Sequence, residues 1–229
     1  MIHSRKVIAL VPIKEHSERV EGKNFRNFCG RPLYQHIIET LDRTYAVDEI
    51  VIDTDSYRVM QEAPGLSGKV RVLERPDELR GDTMSMNRVI EHDLSRTEAD
   101  IYLQTHATNP LLRSETIAAA LRAFVEGEGE HDSLFSVNTY QSRFYTAEGA
   151  ALNHEPENLI RTQDLPPLYE ENSCMYIFTK HSFAQNARRI GLKPLMFPTP
   201  PMESIDIDVE FTFRLAELLS LYERGAEKK

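Results

Sequence analysis

The sequence predicts an α/β fold built on a mostly parallel sheet, and three observations predict it. Short apolar, β-branched runs alternate with amphipathic helical stretches along the chain. The length of 229 residues favours one large domain over two small ones. Hydrophobic residues at 41% and charged residues at 28% fit a globular core rather than a disordered or fibrous chain.

The first strand is Val7–Val11, bounded by Pro12 and by Lys14 and Glu15. Its apolar run superficially resembles a leader segment. Pro12 interrupts it, however, and no small-residue cleavage site follows. Leu33, Ile37, Ile38 and Leu41 then fall on one helical face, and Ile50–Ile52 and Val70–Leu73 read as further strands. A second helix carries Met86, Val89, Ile90 and Leu94, Ile101–Leu103 is the next strand, and Ile117, Leu121, Phe124 and Val125 mark a third helix. From Phe135 to Pro167 the pattern degrades, with Gly149 and the pair Pro166 and Pro167, which predicts an irregular arm or extended hairpin within a single 1–229 domain. A strand over Cys174–Phe178, a helix near Lys180–Arg189, a strand near Leu195–Pro198 and a last helix with Phe211, Leu215, Leu218, Leu219 and Tyr222 on one face complete the expectation.

The 27 basic and 36 acidic residues leave a net charge of −9, which argues against a nucleic-acid backbone as partner. A small polyanion could still bind where cations or a metal are gathered locally, because opposite charges about 4 Å apart gain about 4 kcal/mol at an effective dielectric of about 20. Cys29 and Cys174 stand outside any Cys-x-x-Cys spacing, so neither a disulfide framework nor a zinc site is expected, and a reducing, cytoplasmic compartment fits. No stretch approaches the ~20 apolar residues of a membrane span.

Ligands of open parallel sheets bind beyond the strands' carboxyl ends, so the chemistry is sought there. After the first strand, Lys14, Arg19 and Lys23 lie in one loop, where cations and backbone N–H groups could surround phosphates. Glu15, Glu18 and Glu21 interleave with them, so a solvated loop is an equal reading of the spacing. Near the end of the chain, Asp206 and Asp208 stand at i and i+2, which in an extended segment places them on one face, with Ile205 and Ile207 on the other. Two convergent carboxylates suit magnesium, but a solvent-facing pair satisfies the same spacing. Asp53 and Asp55 have the same spacing after another strand, and Ser56 there suits a helix cap, so geometry alone leaves the metal pair open. The histidines His16, His106 and His154 have no spaced partners, and no G-x-S-x-G motif occurs, which removes the hydrolase case; His106 reads as structural or as a pocket wall.

The order of these segments resembles the acylneuraminate cytidylyltransferase family, which makes CMP-sialic acid, CMP-pseudaminic or legionaminic acid and CMP-KDO. The resemblance spans nearly the whole chain. It is carried by Val11 to Asn24 with Lys23 and Asn24 intact, Gly30 to Leu33, Ile50 to Ser56, and Arg75 and Pro76 with Asp82. It continues in Leu103 and Gln104, Thr108 to Leu111, Arg161 to Pro166, Asn172 with Met175 to Ile177, and Ser204 to Asp208. Departures are Lys14 for an arginine, Glu15 and His16 for a glycine pair, Glu18 for a lysine and Ser173 for a glycine.

The resemblance implies a Rossmann-like three-layer nucleotide-diphospho-sugar transferase fold with a protruding dimerisation arm, hence a homodimer. It implies a nucleotidyltransferase that moves CMP from CTP to the anomeric hydroxyl of a 2-keto-3-deoxy sugar acid and releases pyrophosphate. It assigns Mg²⁺ to Asp206 and Asp208, catalytic charge to Arg19 and Lys23, and nucleotide contacts to Lys14, Ser17, Lys23, Asn24, Asp55, Arg75 and Asp82. A sugar acid needs a cation and amide or hydroxyl groups, and Gln104, Thr108, Arg161, Gln163, Glu171 and Asn172 supply that set. A nucleotide-binding homologue with impaired catalysis, or a transferase for another nucleotide or sugar, is the alternative expectation.

Overall fold

The computed structural model describes residues 4–17, 19–81 and 83–226, so Glu18 and Asp82 lie outside the described residues. The elements in chain order are β1 (Val7–Ile13), β2 (Asn27–Phe28), β3 (Arg31–Pro32), α1 (Leu33–Arg43), β4 (Glu49–Thr54), α2 (Tyr57–Glu62), β5 (Val70–Glu74) and α3 (Met86–Arg96). There follow β6 (Ile101–Thr105), α4 (Ser114–Glu126), β7 (Ser133–Tyr140), β8 (Leu168–Phe178), α5 (Lys180–Asn186), β9 (Pro194–Pro198) and α6 (Glu210–Ala226).

Among the described residues, seven strands form one sheet in the order β5-β4-β1-β6-β8-β7-β9. β1 pairs in parallel with β4 and β6, β4 with β5, and β7 with β9, while β8 runs antiparallel to both β6 and β7. The chain leaves β1 toward β4 and β5, then returns to place β6 on β1's other side. The strand order therefore reverses between β1 and β6, which opens a crevice at their carboxyl ends.

β1 is apolar at every position because helices cover both faces of the sheet. Val7, Ala9, Val11 and Ile13 pack with Ile37, Ile38 and Leu41 of α1 and Ile117, Leu121 and Phe124 of α4. The alternate residues Ile8 and Leu10 pack with Ile90 and Leu94 of α3, Tyr102, Tyr176 and Phe183. This is the three-layer arrangement expected. Local signals agree: the Ser56 hydroxyl caps α2 by accepting from Val59 N, and Thr179 and Ser182 form a capping box on α5.

Two expectations require correction. The irregular arm begins later than Phe135, because Ser133–Tyr140 is strand β7 in the main sheet; the irregular part runs over residues 141–167. The Phe135–Tyr140 stretch looked irregular because β7 leaves the core near its end, where Thr139 and Tyr140 become exposed. The apolar face expected of the last helix is only partly realised. Among its described side chains Phe213, Ala216 and Ser220 are buried, and Leu219 packs against the cluster of Phe28, Leu33, Ile207, Phe213 and Ala216, whereas Phe211 and Tyr222 are 73% and 72% exposed. The cluster beneath α6 is small, and Phe213 is fixed there by the edge of Phe28 at 5.7 Å and by Arg26 over its ring at 4.0 Å.

Helix α5 ends at Ala187, which is exposed in the left-handed conformation at φ 52° and ψ 40°. A side chain there adds strain that glycine avoids. Ala187→Gly is expected to raise stability by roughly 0.5–1 kcal/mol, measured as a higher urea midpoint at unchanged m.

Candidate active site

The cleft lies at the switch point, with a volume of about 230 Å³, between the loop after β1 and the loop after β6. Lys14, His16, Ser17 and Arg19 line it from the first loop, and His106, Ala107 and Thr108 from the second. Lys23 and Asn24 close its floor. They turn inward because Gly22, at φ 58°, takes a left-handed conformation that starts a short turn over Lys23–Phe25. Both side chains are buried as a result.

The first loop is held from several sides. Asn24 Nδ2 donates to the carbonyl of Lys14 at 2.9 Å, and Lys14 Nζ donates to the carbonyl of Gly81 at 3.1 Å. Asp55 accepts the backbone N–H of Glu15 at 2.7 Å. Asp55 thus anchors the loop itself.

The last loop crosses the same floor. Ile207 N donates to the carbonyl of Thr108 at 2.9 Å, and Lys23 Nζ donates to the carbonyl of Ile207 at 2.6 Å. Asp208 accepts from Arg19 at 2.9 Å and lies 3.6 Å from Lys23 Nζ. Ile207 is fully buried with Phe28 and Phe213, and Ile205 packs against the same cluster. The alternation expected of this segment is therefore realised. Burial raises the Asp206 carboxyl, against the opposing hydrogen bond from Thr108, while burial lowers the Lys23 ammonium against the attraction of Asp208 and Asp206. Asp206 Oδ1 is buried with no hydrogen-bond partner. A desolvated carboxylate oxygen without a donor is costly, and a cation in the cleft removes that cost.

The rival pair has partners of its own, although Asp53 Oδ2, like Asp206 Oδ1, is buried without a hydrogen-bond partner, and Asp53, His92 and Asp93 bring their ligand atoms within 4.8 Å of one another, close enough to hold a metal ion. Asp53 is fully buried, its Oδ1 bonded to Arg75 Nε, and its main-chain carbonyl accepts from the same guanidinium at 3.0 Å. Arg75 is 1% exposed, so it does not face the cleft as expected; it braces the end of β4 from inside the core. On the other side of Asp53, His92 Nδ1 lies 3.4 Å from Asp53 Oδ2 and 3.6 Å from Asp93 Oδ1, beneath α3. Burial and the neighbouring Asp53 charge hold the Asp93 carboxyl well above the usual carboxylate range.

Of the residues expected at the sugar acid, only Thr108 lines the cleft. Asn172 is buried and saturated: it donates to Asn138 and Thr199 at 3.0 and 2.6 Å and accepts from Ser136 and from Cys174 N. Its neighbour Ser173, at φ 59°, holds the left-handed backbone that the glycine it replaces adopts without strain. Gln104 is fully buried, donating to the carbonyl of Thr105 and accepting from Arg189 at 2.7 Å. Both expectations are corrected by the absence of a free polar edge. Arg161 pairs with Asp164 at 2.7 and 3.1 Å and Gln163 bonds through its carbonyl to Gln141, both on the exposed arm. Glu171 is exposed and accepts from the Tyr176 hydroxyl.

Sequence reasoning missed Arg189 and the Asp53–His92–Asp93 group. The contacts that define them, Arg189 with Gln104 and Asp53 with His92 and Asp93, span 39 residues of chain or more, for which one sequence carries no signal. It placed His106 correctly as a pocket wall. Burial and the Arg189 and Lys23 cations push this imidazole down to about 3, leaving it neutral and too weak a base to take a hydroxyl proton near neutral pH.

A crevice at a switch point lined by the three cations Lys14, Arg19 and Lys23, with Asp208 paired to two of them, suits a phosphorylated ligand. A family model described as cytidylyltransferase matches residues 8–225, so the chain belongs to the cytidylyltransferase family and is a nucleotidyltransferase. It is similar to CMP-N,N'-diacetyllegionaminic acid synthase of Legionella pneumophila, 28% identical over 93% of this chain and 96% of that one. It is also similar to the pseudaminic acid cytidylyltransferase of Campylobacter jejuni serotype O:2, 23% identical over 93% of this chain and 96% of that one. A solved structure of CMP:2-keto-3-deoxy-manno-octonic acid synthetase with CTP shares the fold, with a TM-score of 0.69 at 17% identity over 95% of this chain and 99% of that one. A 4-diphosphocytidyl-2C-methyl-D-erythritol synthase from Anaerococcus prevotii does so at a TM-score of 0.67, with 12% identity over 96% and 98% of the two chains.

The raised Asp93 carboxyl sets a pH dependence. A native pKa above the unfolded value means that the folded state holds more protons, so this group favours folding in acid and loses that contribution as pH rises toward the native value. Asp93→Asn, which mimics the protonated form, is expected to lose less stability than the parent between about pH 5 and about pH 8, read by urea unfolding at each pH.

Proposed function

We propose that this chain transfers CMP from CTP to the anomeric hydroxyl of a 2-keto-3-deoxy sugar acid of the sialic-acid kind, releasing pyrophosphate. One observation carries the reading: Asp206, with an unpartnered buried oxygen, meets Asp208, Lys23 and Arg19 at the sheet's switch point in a cytidylyltransferase chain. The sugar-acid half is supported by relatives named as legionaminic and pseudaminic acid enzymes that match over nearly their full length.

In this reading the hydroxyl oxygen attacks the α-phosphorus as the bond to pyrophosphate breaks, and the hydroxyl proton passes to solvent water. The protein positions the reactants and balances charge. Lys14, Arg19 and Lys23 offset the triphosphate, while Asn24 and Asp55 keep the loop in place. Ser17 and Thr108 offer hydroxyls from the two walls. Asp206 and Asp208 fit a hard divalent cation, since carboxylate oxygens and substrate phosphates are the usual magnesium ligands. Bound magnesium supplies positive charge to the phosphates.

The arm is proposed to join two copies of the chain. Tyr145, Leu152, Leu159 and Ile160 are exposed on it, and Arg161 and Gln163 would then serve a neighbouring site. A cytoplasmic setting suits the two cysteines, Cys29 and Cys174, which stand outside any Cys-x-x-Cys spacing.

Pyrophosphate release from CTP and Mg²⁺ with a panel of 2-keto-3-deoxy sugar acids is the test, and turnover with at least one acid is expected. Asp206→Asn and Asp208→Asn should each lower kcat by roughly a hundredfold or more, because charge balance in the transition state is lost. Full activity in both would remove the metal assignment. CTP with Mg²⁺ should also raise the melting temperature more than ATP, GTP or UTP does, as the ligand that binds most tightly stabilises most.

A further inference from the structure

The geometry points to Arg189 as the group that recognises the substrate's carboxylate, in a subsite continuous with the cleft beyond His106. This inference rests on the sugar-acid reading and gives its acid half a place. Strand alternation aligns the two regions. Ile8, Leu10 and Tyr102 and Tyr176 pack on the α3 and α5 side of the sheet, and Pro12 and Gln104 continue the same alternation on β1 and β6 toward their carboxyl ends. His106 follows Gln104 and lines the cleft, and its Nε2 lies 3.5 Å from Arg189 NH1.

The guanidinium is built into place. It stacks on Tyr176 at 3.6 Å from the ring centre, donates to Gln104 Oε1 at 2.7 Å and donates to the Tyr176 hydroxyl at 2.9 Å. Its side chain is 18% exposed. Burial lowers its pKa, with Tyr176 and Glu171 opposing that shift. Glu171, 43% exposed, forms a long ion pair with it at 3.7 Å, which an incoming carboxylate would compete with. A fixed, partly desolvated planar cation of this kind matches a carboxylate better than a flexible ammonium does.

The chemistry of the substrate class gives the position its meaning. In a 2-keto-3-deoxy acid the carboxylate is bonded to the anomeric carbon. A group that holds the carboxylate therefore also fixes the attacking hydroxyl, and His106, which lines the cleft with Lys14 and Lys23, is the contact from that cleft to Arg189. Gln104, expected at the sugar acid itself, instead orients this cation.

The probes are N-acetylneuraminic acid and 3-deoxy-manno-octulosonic acid, each beside its C1 amide, titrated by calorimetry into the full chain with CTP affinity and melting temperature measured alongside. The parent is expected to bind at least one acid roughly ten- to a hundredfold tighter than its amide, as charge-assisted hydrogen bonds imply. Arg189→Gln should abolish that preference with CTP affinity unchanged, and Arg189→Lys should restore part of it. A preference that survives Arg189→Gln, or no preference in the parent, overturns the assignment. If Arg189→Gln fails to fold, Arg189→Lys and the parent's preference decide. Acid preference without pyrophosphate release would remove the transfer reading and leave the subsite standing.

Discussion

The buried ammonium of Lys23 ties the two ends of the chain together. Its hydrogen bond to the carbonyl of Ile207 spans 184 residues, and its attraction to Asp208 offsets the burial that lowers its pKa. An ammonium in that position must be paired, because an isolated buried charge is costly. Pairing it requires the loop after β1 and the segment before α6 to meet on one floor. The cleft, its cations and its carboxylates follow from that meeting.

The same logic recurs beneath the loop. Arg75, Asp53, Asp93 and His92 gather in the core between β4 and α3, where the Arg75 guanidinium offsets Asp53 and burial favours the protonated form of Asp93. This group supports the end of β4, from which Asp55 reaches the loop backbone at Glu15. Asp53 Oδ2, His92 Nδ1 and Asp93 Oδ1 are buried there without a hydrogen-bond partner, so the group is held chiefly by the Arg75–Asp53 ion pair rather than by a fully satisfied network. Arg75 therefore acts on the cleft through structure rather than through contact.

Much of the fold was legible because it depends on local periodicity. The strands β1, β4, β5 and β6 and the helices between them were visible as period-two and period-three-to-four apolar patterns, since both faces of a parallel sheet are covered. The extended pair Asp206 and Asp208 was legible for the same reason. β7 and the buried face of α6 were not, because which side of a half-apolar segment is buried depends on what packs against it. The exposure of Phe211 and burial of Phe213 follow from Phe28 and Arg26, nearly two hundred residues away in sequence.

By itself the sequence determined the α/β class, the strand ends where ligands bind and the residue types that gather there, because these follow from spacing along the chain. Only the tertiary structure decided how each polar side chain is used. Asn172, Gln104 and Arg75 have the right chemistry for a ligand but are bonded to Thr199, Arg189 and Asp53 respectively, since a buried polar group must find a partner within the fold. Asp206 keeps an oxygen without one, and that difference is made by contacts between segments distant in the chain.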